Sequence, residues 1–404
     1  MIRLAELTPH LGGGGIEIRI ARVLAGLPPS EFERCWVGFT AAEPKITAIA
    51  GPDVRILTFE KKPSLVGVDL RLIETLRRFF RRERPDVVHV HNFASSVYGV
   101  LGARLAGVRS VIYESAGRER VEGPSARQVA VLRALAPHID VVVGVCEFLA
   151  GEARDSFGLS GDRVRVLPTG IDLERFNPSE RLRARERLHI PPEAFVVGTI
   201  GMFRPVKRVE DVLEAGLRLL VAAPDAYLLI GGADRFDQVP ESYWAAARAA
   251  GVADRVRLPG RVYGTDKVVS AFDVFVNAST FEGASNAIIE AFAVGAAVIA
   301  TRVGGNPDVV EDGRTGALVP PEDPGAIFQA MQRYHQDRAL LARTREAALS
   351  TAHQRHSIQG MVDAYASLFR ELAARPARPP LQGASDALLG LLGGVRIWAE
   401  RAGR

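Results

Sequence analysis

Short runs of consecutive apolar residues alternate along this chain with longer stretches in which apolar positions recur three and four apart. The first pattern marks a strand buried on both faces, and the second a helix with one face against a core. Strands are expected at residues 2–7, 34–39, 54–59, 86–91, 109–113, 139–143 and 164–167. A second series follows at 195–200, 227–230, 256–258, 273–276 and 297–301. Helices are expected at 16–26, 70–84, 93–106, 209–220, 285–294, 323–334, 337–349 and 353–374. Strands that alternate with helices predict α/β layers with parallel sheets. Glycine and prolines near Pro168-Thr169-Gly170-Ile171-Asp172 and Phe176-Asn177-Pro178 mark a boundary between two such layers.

The most informative stretch runs from Asp273 to Gly305. Strand, polar turn, Ala/Ile-rich helix and second strand follow one another, with Glu282 in the turn and Glu290 on the helix. Gly283 lets the backbone come close to whatever lies at the helix start. The first amides of a helix lack internal partners and carry partial positive charge, which suits a diphosphate. Counted from Ala284, the helix rises roughly 9 Å to Glu290. A carboxylate at each end of that span suits hydroxyls at two ends of one ligand. A nucleotide sugar has that layout, with sugar hydroxyls, a diphosphate and ribose hydroxyls in line.

Phe281-Glu282-Gly283, Asn286, Glu290-Ala291-Phe292, Gly295, Thr301 and Val303-Gly304-Gly305-Asn306-Pro307 together resemble the donor-binding motif of glycosyltransferase family four. The likeness continues from Glu311 through Pro321. It implies an α/β protein of GT-B architecture, two Rossmann-like doubly wound domains facing each other across a cleft. The divisions would be 1–175 for the acceptor, 176–352 for the nucleotide sugar, 353–375 as a helix crossing back, and 376–404 as a tail. It also implies a retaining transferase that moves a hexose from a nucleoside diphosphate sugar to a glycan, a lipid-linked or a small-molecule acceptor. Cell-surface polysaccharide or glycolipid synthesis would be its setting.

The resemblance assigns roles residue by residue. Arg204 and Lys207, on a loop after a strand, suit the diphosphate: arginine as a flat fork, lysine as a point charge. Many members place an arginine where this chain has Met202, and Arg204 fits a recurring variant. Glu282 would orient the sugar and Glu290 the ribose, with Gly283, Ala284, Ser285 and Asn286 at the helix start. Arg261 and Val262 would frame the base. The glycine run Gly12 to Gly15 follows the first strand, and Gly13, Gly14 and Gly15 would admit donor or acceptor. It is neither the dinucleotide pattern nor a Walker A loop. Many members carry a histidine near the reacting sugar where this chain has Glu114; either Glu114 or His91 would then meet the acceptor. His89 is expected to be a core histidine bonded to backbone.

Bulk properties narrow the field. At 404 residues the chain exceeds one ordinary core, and 47% apolar with 24% charged residues is globular composition. Cys35 and Cys146 have no metal-ligand spacing, so a reducing compartment, the cytoplasm, is expected. Met1 leads directly into a strand, so no leader is expected, and no apolar run is long enough to span a bilayer. No Asp-x-Asp occurs, so neither a metal clasp nor any cofactor is expected. A formal charge of +4 does not suggest nucleic acid. The 70–84 helix carries Arg71, Arg77, Arg78, Arg81, Arg82 and Arg84. It reads equally as a solvated face or as a dock for anionic lipid on the inner membrane face. The apolar stretch Ala387 to Trp398 packs on the body or lies at a membrane surface. Two other classes remain open: a non-catalytic sugar-nucleotide-binding protein and a sugar-nucleotide epimerase.

Overall fold

The computed structural model describes residues 1–61, 68–116, 123–159, 161–234 and 236–380. The chain divides into two units: residues 1–168 with 358–404, and residues 169–357. The expected divisions were 175 and 352. Residues 169–175 join the second unit because Ile171 donates its amide to the His356 carbonyl at 2.8 Å, and His356 Nδ1 meets the Thr169 carbonyl at 3.1 Å. The same contacts interrupt the helix expected at 353–374. Helix Arg338–Arg355 ends, and helix Ile358–Ala373 starts afresh in the first unit.

The first unit holds a parallel sheet of β1 (Ile2–Thr8), β2 (Phe32–Gly38), β3 (Val54–Thr58), β4 (Val87–His91), β5 (Ser110–Ser115), β6 (Val141–Gly144) and β7 (Val164–Val166), in the order β3-β2-β1-β4-β5-β6-β7. Helices cover both faces. Helices Gly15–Gly26 and Ile358–Ala373 pack on one, burying Ile20, Met361 and Tyr365 against Leu4, Val87 and Ile112. Helices Leu70–Glu83 and Asn92–Ala106 pack on the other. Of the basic helix, Leu72, Ile73, Leu76, Phe79 and Phe80 are all buried, as its spacing predicts. Asp69 caps its start by accepting from the Arg71 and Leu72 amides.

The second unit repeats the plan with β8 (Phe195–Ile200), β9 (Ala226–Gly231), β10 (Val256–Gly260), β11 (Val274–Asn277), β12 (Ala297–Thr301) and β13 (Gly316–Val319), ordered β10-β9-β8-β11-β12-β13. Strand β13 was not expected; its four residues open on Gly316 and show too short an apolar run. Helix Asn286–Ala293 is shorter than the expected 285–294, with Ser285 at its cap position. The apolar tail segment from Ala387 lies outside the described residues.

Strand order reverses between β1 and β4 in the first sheet, and between β8 and β11 in the second. Loops leaving neighbouring strands at such a switch diverge to opposite faces and open a crevice at the strands' carboxyl ends, where ligands of open α/β sheets bind. The glycine run follows β1 and His91 ends β4. The loop with Arg204 and Lys207 follows β8, and the turn with Glu282 follows β11.

Candidate functional site

In the second unit the switch point assembles the residues that the sequence nominated. Loop 201–208 leaves β8 through a 3-10 turn, Pro205–Lys207, and Arg208 adopts left-handed backbone before the next helix. The Thr280 amide donates to the Val206 carbonyl at 2.8 Å, which fastens this loop to the turn after β11. Lys207 Nζ then lies 2.6 Å from Glu282 Oε1. The same oxygen accepts from Asn277 Nδ2 at 3.0 Å and from Ser279 Oγ at 2.7 Å. The Glu282 side chain is 11% exposed and that of Lys207 is 36% exposed, so the pair sits at a rim rather than inside.

The turn is held from below by the loop after β12. The Gly305 amide donates to the Glu282 carbonyl at 3.1 Å. Gly304 has φ of +51°, and a Cβ there would lie 2.0 Å from the Glu282 carbonyl oxygen. Only glycine fits both the left-handed backbone and that approach. Thr301 Oγ1 donates to the Ser279 carbonyl at 2.5 Å, and buried Asn306 donates to the Thr301 carbonyl at 2.9 Å.

Helix Asn286–Ala293 starts directly after this turn. Its first turn lacks a side-chain cap, and Ser285 Oγ accepts from Asn277 Nδ2. Gly283, Ala284 and Ser285 form the approach to that start. Glu290 is partly buried on the helix. With the helix beginning at Asn286, the helical rise to Glu290 is roughly 6 Å rather than 9 Å. Arg204 is exposed on the 201–208 loop, with Nε 3.1 Å from Met202 Sδ. Arg261 is ion-paired with Asp237 on the loops after β10 and β9, and the Val262 side chain lies against Gly231.

The first unit's switch point is different in kind. Parallel register sets Glu6 beside His89 and His91 beside Glu114, all on the face that packs against helices Gly15–Gly26 and Ile358–Ala373. Glu6 Oε1 lies 3.1 Å from His89 Nδ1, and Glu6 Oε2 lies 2.5 Å from His91 Nε2. The other ring nitrogens face Glu114 at 3.4 and 3.3 Å. Arg19 ion-pairs with Glu114 and donates to the Tyr365 hydroxyl, which itself donates to Glu114 Oε2 at 2.6 Å. All six side chains are buried. His89 thus bonds a carboxylate rather than backbone.

Burial alone would raise the Glu6 carboxyl, but the His89 charge and hydrogen bonds from both histidines hold it at about 2. Burial opposes charge on His89, yet Glu6 and Glu114 push it up to about 9. Arg19 and the histidines likewise hold Glu114 well below the usual carboxylate range against the effect of burial. One proton on the histidines beside Glu6, Glu114 and Arg19 makes the cluster neutral. Glu6, His89 and His91 are also a conceivable cation-ligand set. A separation of 2.5 Å between Glu6 and His91 is that of a hydrogen bond, however, and too short for two ligands of one ion at about 2.0–2.2 Å each.

Glu114 and His91, nominated for the acceptor, are therefore interior groups whose polar atoms face one another. Glu6, Arg19 and Tyr365 escaped the sequence reading; the signal within reach was the lone Glu6 in a buried strand paired with a His-x-His strand. The glycine run lies at the start of helix Gly15–Gly26. The Glu43 carboxylate is packed against it, 2.9 Å from where a Cβ on Gly13 would stand.

Both halves of the chain match known proteins. Residues 5–175 match the family model described as "Glycosyltransferase Family 4", and residues 194–337 match "Glycosyl transferases group 1". A D-inositol 3-phosphate glycosyltransferase from Geodermatophilus obscurus is 29% identical over 350 residues, covering 79% of this chain and 74% of that protein. Among solved structures, Anabaena Alr3699/HepE in complex with UDP superposes with a TM-score of 0.79 at 19% identity, over 92% of this chain and all of the other. Sucrose-phosphate synthase from Thermosynechococcus elongatus gives 0.74 at 20%, over 93% and 100%. With both halves matched and the fold shared, the chain belongs to glycosyltransferase family four and has the GT-B fold.

Proposed function

We propose that this chain transfers a hexose, with retention of anomeric configuration, from a nucleoside diphosphate sugar to a hydroxyl of a glycan, lipid-linked or small-molecule acceptor. The observation that carries this reading is the Lys207 ammonium seated on Glu282 at 2.6 Å, beside a helix start at the second sheet's switch point. Lys207, Arg204 and the first amides of helix Asn286–Ala293 supply positive potential where a diphosphate leaves. Glu282 accepts from the sugar's hydroxyls, and Glu290 from the ribose. Positive side chains take the part of a metal, consistent with the missing Asp-x-Asp. Arg261 and Val262 lie on the loop expected to frame the base.

Two of the similar proteins guide the choice of substrates. The Anabaena structures are complexes with UDP and UDP-glucose, which favours a start with uridine donors. The Geodermatophilus relative, a D-inositol 3-phosphate glycosyltransferase, makes a phosphorylated polyol a sensible small acceptor. Synthesis of a surface polysaccharide or glycolipid on the inner membrane face fits the arginines of helix Leu70–Glu83. Glu74 pairs with Arg77 and Arg78, so part of that charge is already matched. Binding to anionic vesicles that falls with salt is the check on that setting. Among the described residues, no helix is long and apolar enough to cross a membrane.

The test is a donor screen with UDP, GDP and ADP sugars, by thermal shift and then by turnover in excess EDTA. Lys207→Ala is expected to weaken donor binding and turnover roughly 10- to 150-fold, the loss of one charge-assisted bond of about 1.5–3 kcal/mol. Unchanged affinity and turnover in this variant would overturn the site, and an absolute need for added Mn²⁺ or Mg²⁺ would overturn the electrostatic role given to the basic pair.

A further inference from the structure

Glu282 is held entirely by one of its two oxygens. Among the described residues, every hydrogen bond to its carboxylate falls on Oε1, from Lys207, Asn277 and Ser279. Lys207 and Ser279 are on the rim loops, but Asn277 is not. It is the last residue of β11, buried, and parallel pairing with Ala300 of β12 fixes its backbone. Its amide orientation is forced by chemistry. A carboxylate only accepts, so the group facing Glu282 must be Nδ2. Its second N–H reaches Ser285 Oγ at 3.2 Å. Its Oδ1 then accepts from Asn306 Nδ2 at 3.3 Å, and Asn306 is oriented in turn by the Thr301 carbonyl. A chain of two buried amides therefore runs from β12 to the rim carboxylate and to the cap residue of helix Asn286–Ala293.

We propose that Asn277 is a positioning residue for sugar recognition: through Nδ2 it pins Glu282 Oε1 and Ser285 Oγ together, and so presents Glu282 Oε2 to the donor's sugar. This rests on the donor reading above and adds to it the residue that sets the carboxylate's rotation. A buried amide locked on both sides loses little freedom when the ligand arrives, which is what a positioning group must offer. Asn277 does not touch the diphosphate in this scheme. Its effect therefore falls on the sugar part of the donor alone.

The experiment compares Asn277→Asp with the parent, using whichever of UDP, GDP or ADP the screen selects, alone and as its sugar conjugate. The substitution keeps the shape and sets a carboxylate against Glu282. Affinity for the sugar nucleotide and its turnover are expected to fall at least tenfold, while affinity for the bare diphosphate changes less than twofold. Turnover relative to the parent is expected to recover as pH falls and the introduced carboxyl takes up a proton, which a merely structural defect would not do. Asn277→Ser, which keeps a small donor, is expected to show the same split with a smaller loss, and serves if the first variant does not fold. Equal loss of both ligands, or no loss in either variant while Glu282→Gln is impaired, overturns the positioning role. If Glu282→Gln itself handles the sugar donor as the parent does, the donor reading fails rather than this inference alone.

Discussion

Glu114 and Glu282 are built from the same parts. Each is a carboxylate at or just beyond the carboxyl end of a parallel strand, ion-paired with a basic side chain and hydrogen-bonded by its neighbours. Their surroundings are opposite. Glu114 has no exposed side-chain surface, and its partners Arg19, His89, His91 and Tyr365 are buried with it. Glu282 opens to solvent together with its lysine. In the interior an ion pair has to be complete, because removing one member strands the other in a medium that solvates it poorly. At the rim the same pair is worth little to the fold, and water or a ligand can take either partner's place. The first cluster therefore reads as architecture, and the second is open to the donor chemistry proposed for it, although a sequence shows only a glutamate in each place.

The largest way to test this contrast is a matched pair of substitutions. Glu114→Gln leaves Arg19 without its counter-charge and is expected to cost about 3–5 kcal/mol of unfolding free energy. Glu282→Gln is expected to cost less than about 1 kcal/mol while damaging donor turnover. Denaturant titration of both variants, monitored alongside turnover, decides it. Equal destabilisation of the two would erase the distinction between interior and rim.

A smaller effect is expected from pH. His89 is raised from the ordinary 6.5 to about 9, so its contribution is fully present below pH 6.5 and is lost as pH climbs through 9. Glu6 is lowered to about 2 from 4.5, so its contribution is present above pH 4.5 and is lost as pH falls through 2. The first unit should be most stable between about 4.5 and 6.5. The loss toward alkaline pH is on the order of 3 kcal/mol at 1.4 kcal/mol per unit. Thermal unfolding across pH 4 to 10 measures it, and His89→Gln should flatten the alkaline limb. A limb that keeps its slope in that variant would show that another group carries the charge.

The smallest effect concerns Tyr365 on helix Ile358–Ala373. Tyr365→Phe removes the buried hydroxyl that donates to Glu114 and accepts from Arg19, and leaves the ring packed against Phe369. About 1–2 kcal/mol is expected, with donor affinity unchanged. A change in donor affinity without a change in stability would tie this helix to the chemistry instead.

What the sequence made legible follows from distance along the chain. Lys207 and Glu282 could be nominated because each stands just after an apolar strand, and loops at strand ends carry function in such sheets. Helix Leu70–Glu83 was legible because its burial follows its own period. The cluster around Glu114 was not, because its partners Arg19 and Tyr365 lie 95 and 251 residues away and nothing local announces the pairing. The switch points were equally hidden, since an apolar strand looks the same at the centre of a sheet and at its edge. Asn277 read as the first residue of a polar turn. Only the structure shows it as the end of β11, with its amide turned inward.

The crossing of Gly304 beneath Glu282 has a meaning for how such a protein can change over generations. Backbone meets backbone there, so no substitution can be tried at Gly304 without moving the carboxylate above it. An insertion in either loop would do the same. On the proposed donor reading, drift in sugar preference is thereby left to positions that flank Glu282 in the chain, Thr280, Phe281 and Ala284 among them. A library meant to alter the donor's sugar should vary those three and leave the stitch itself alone.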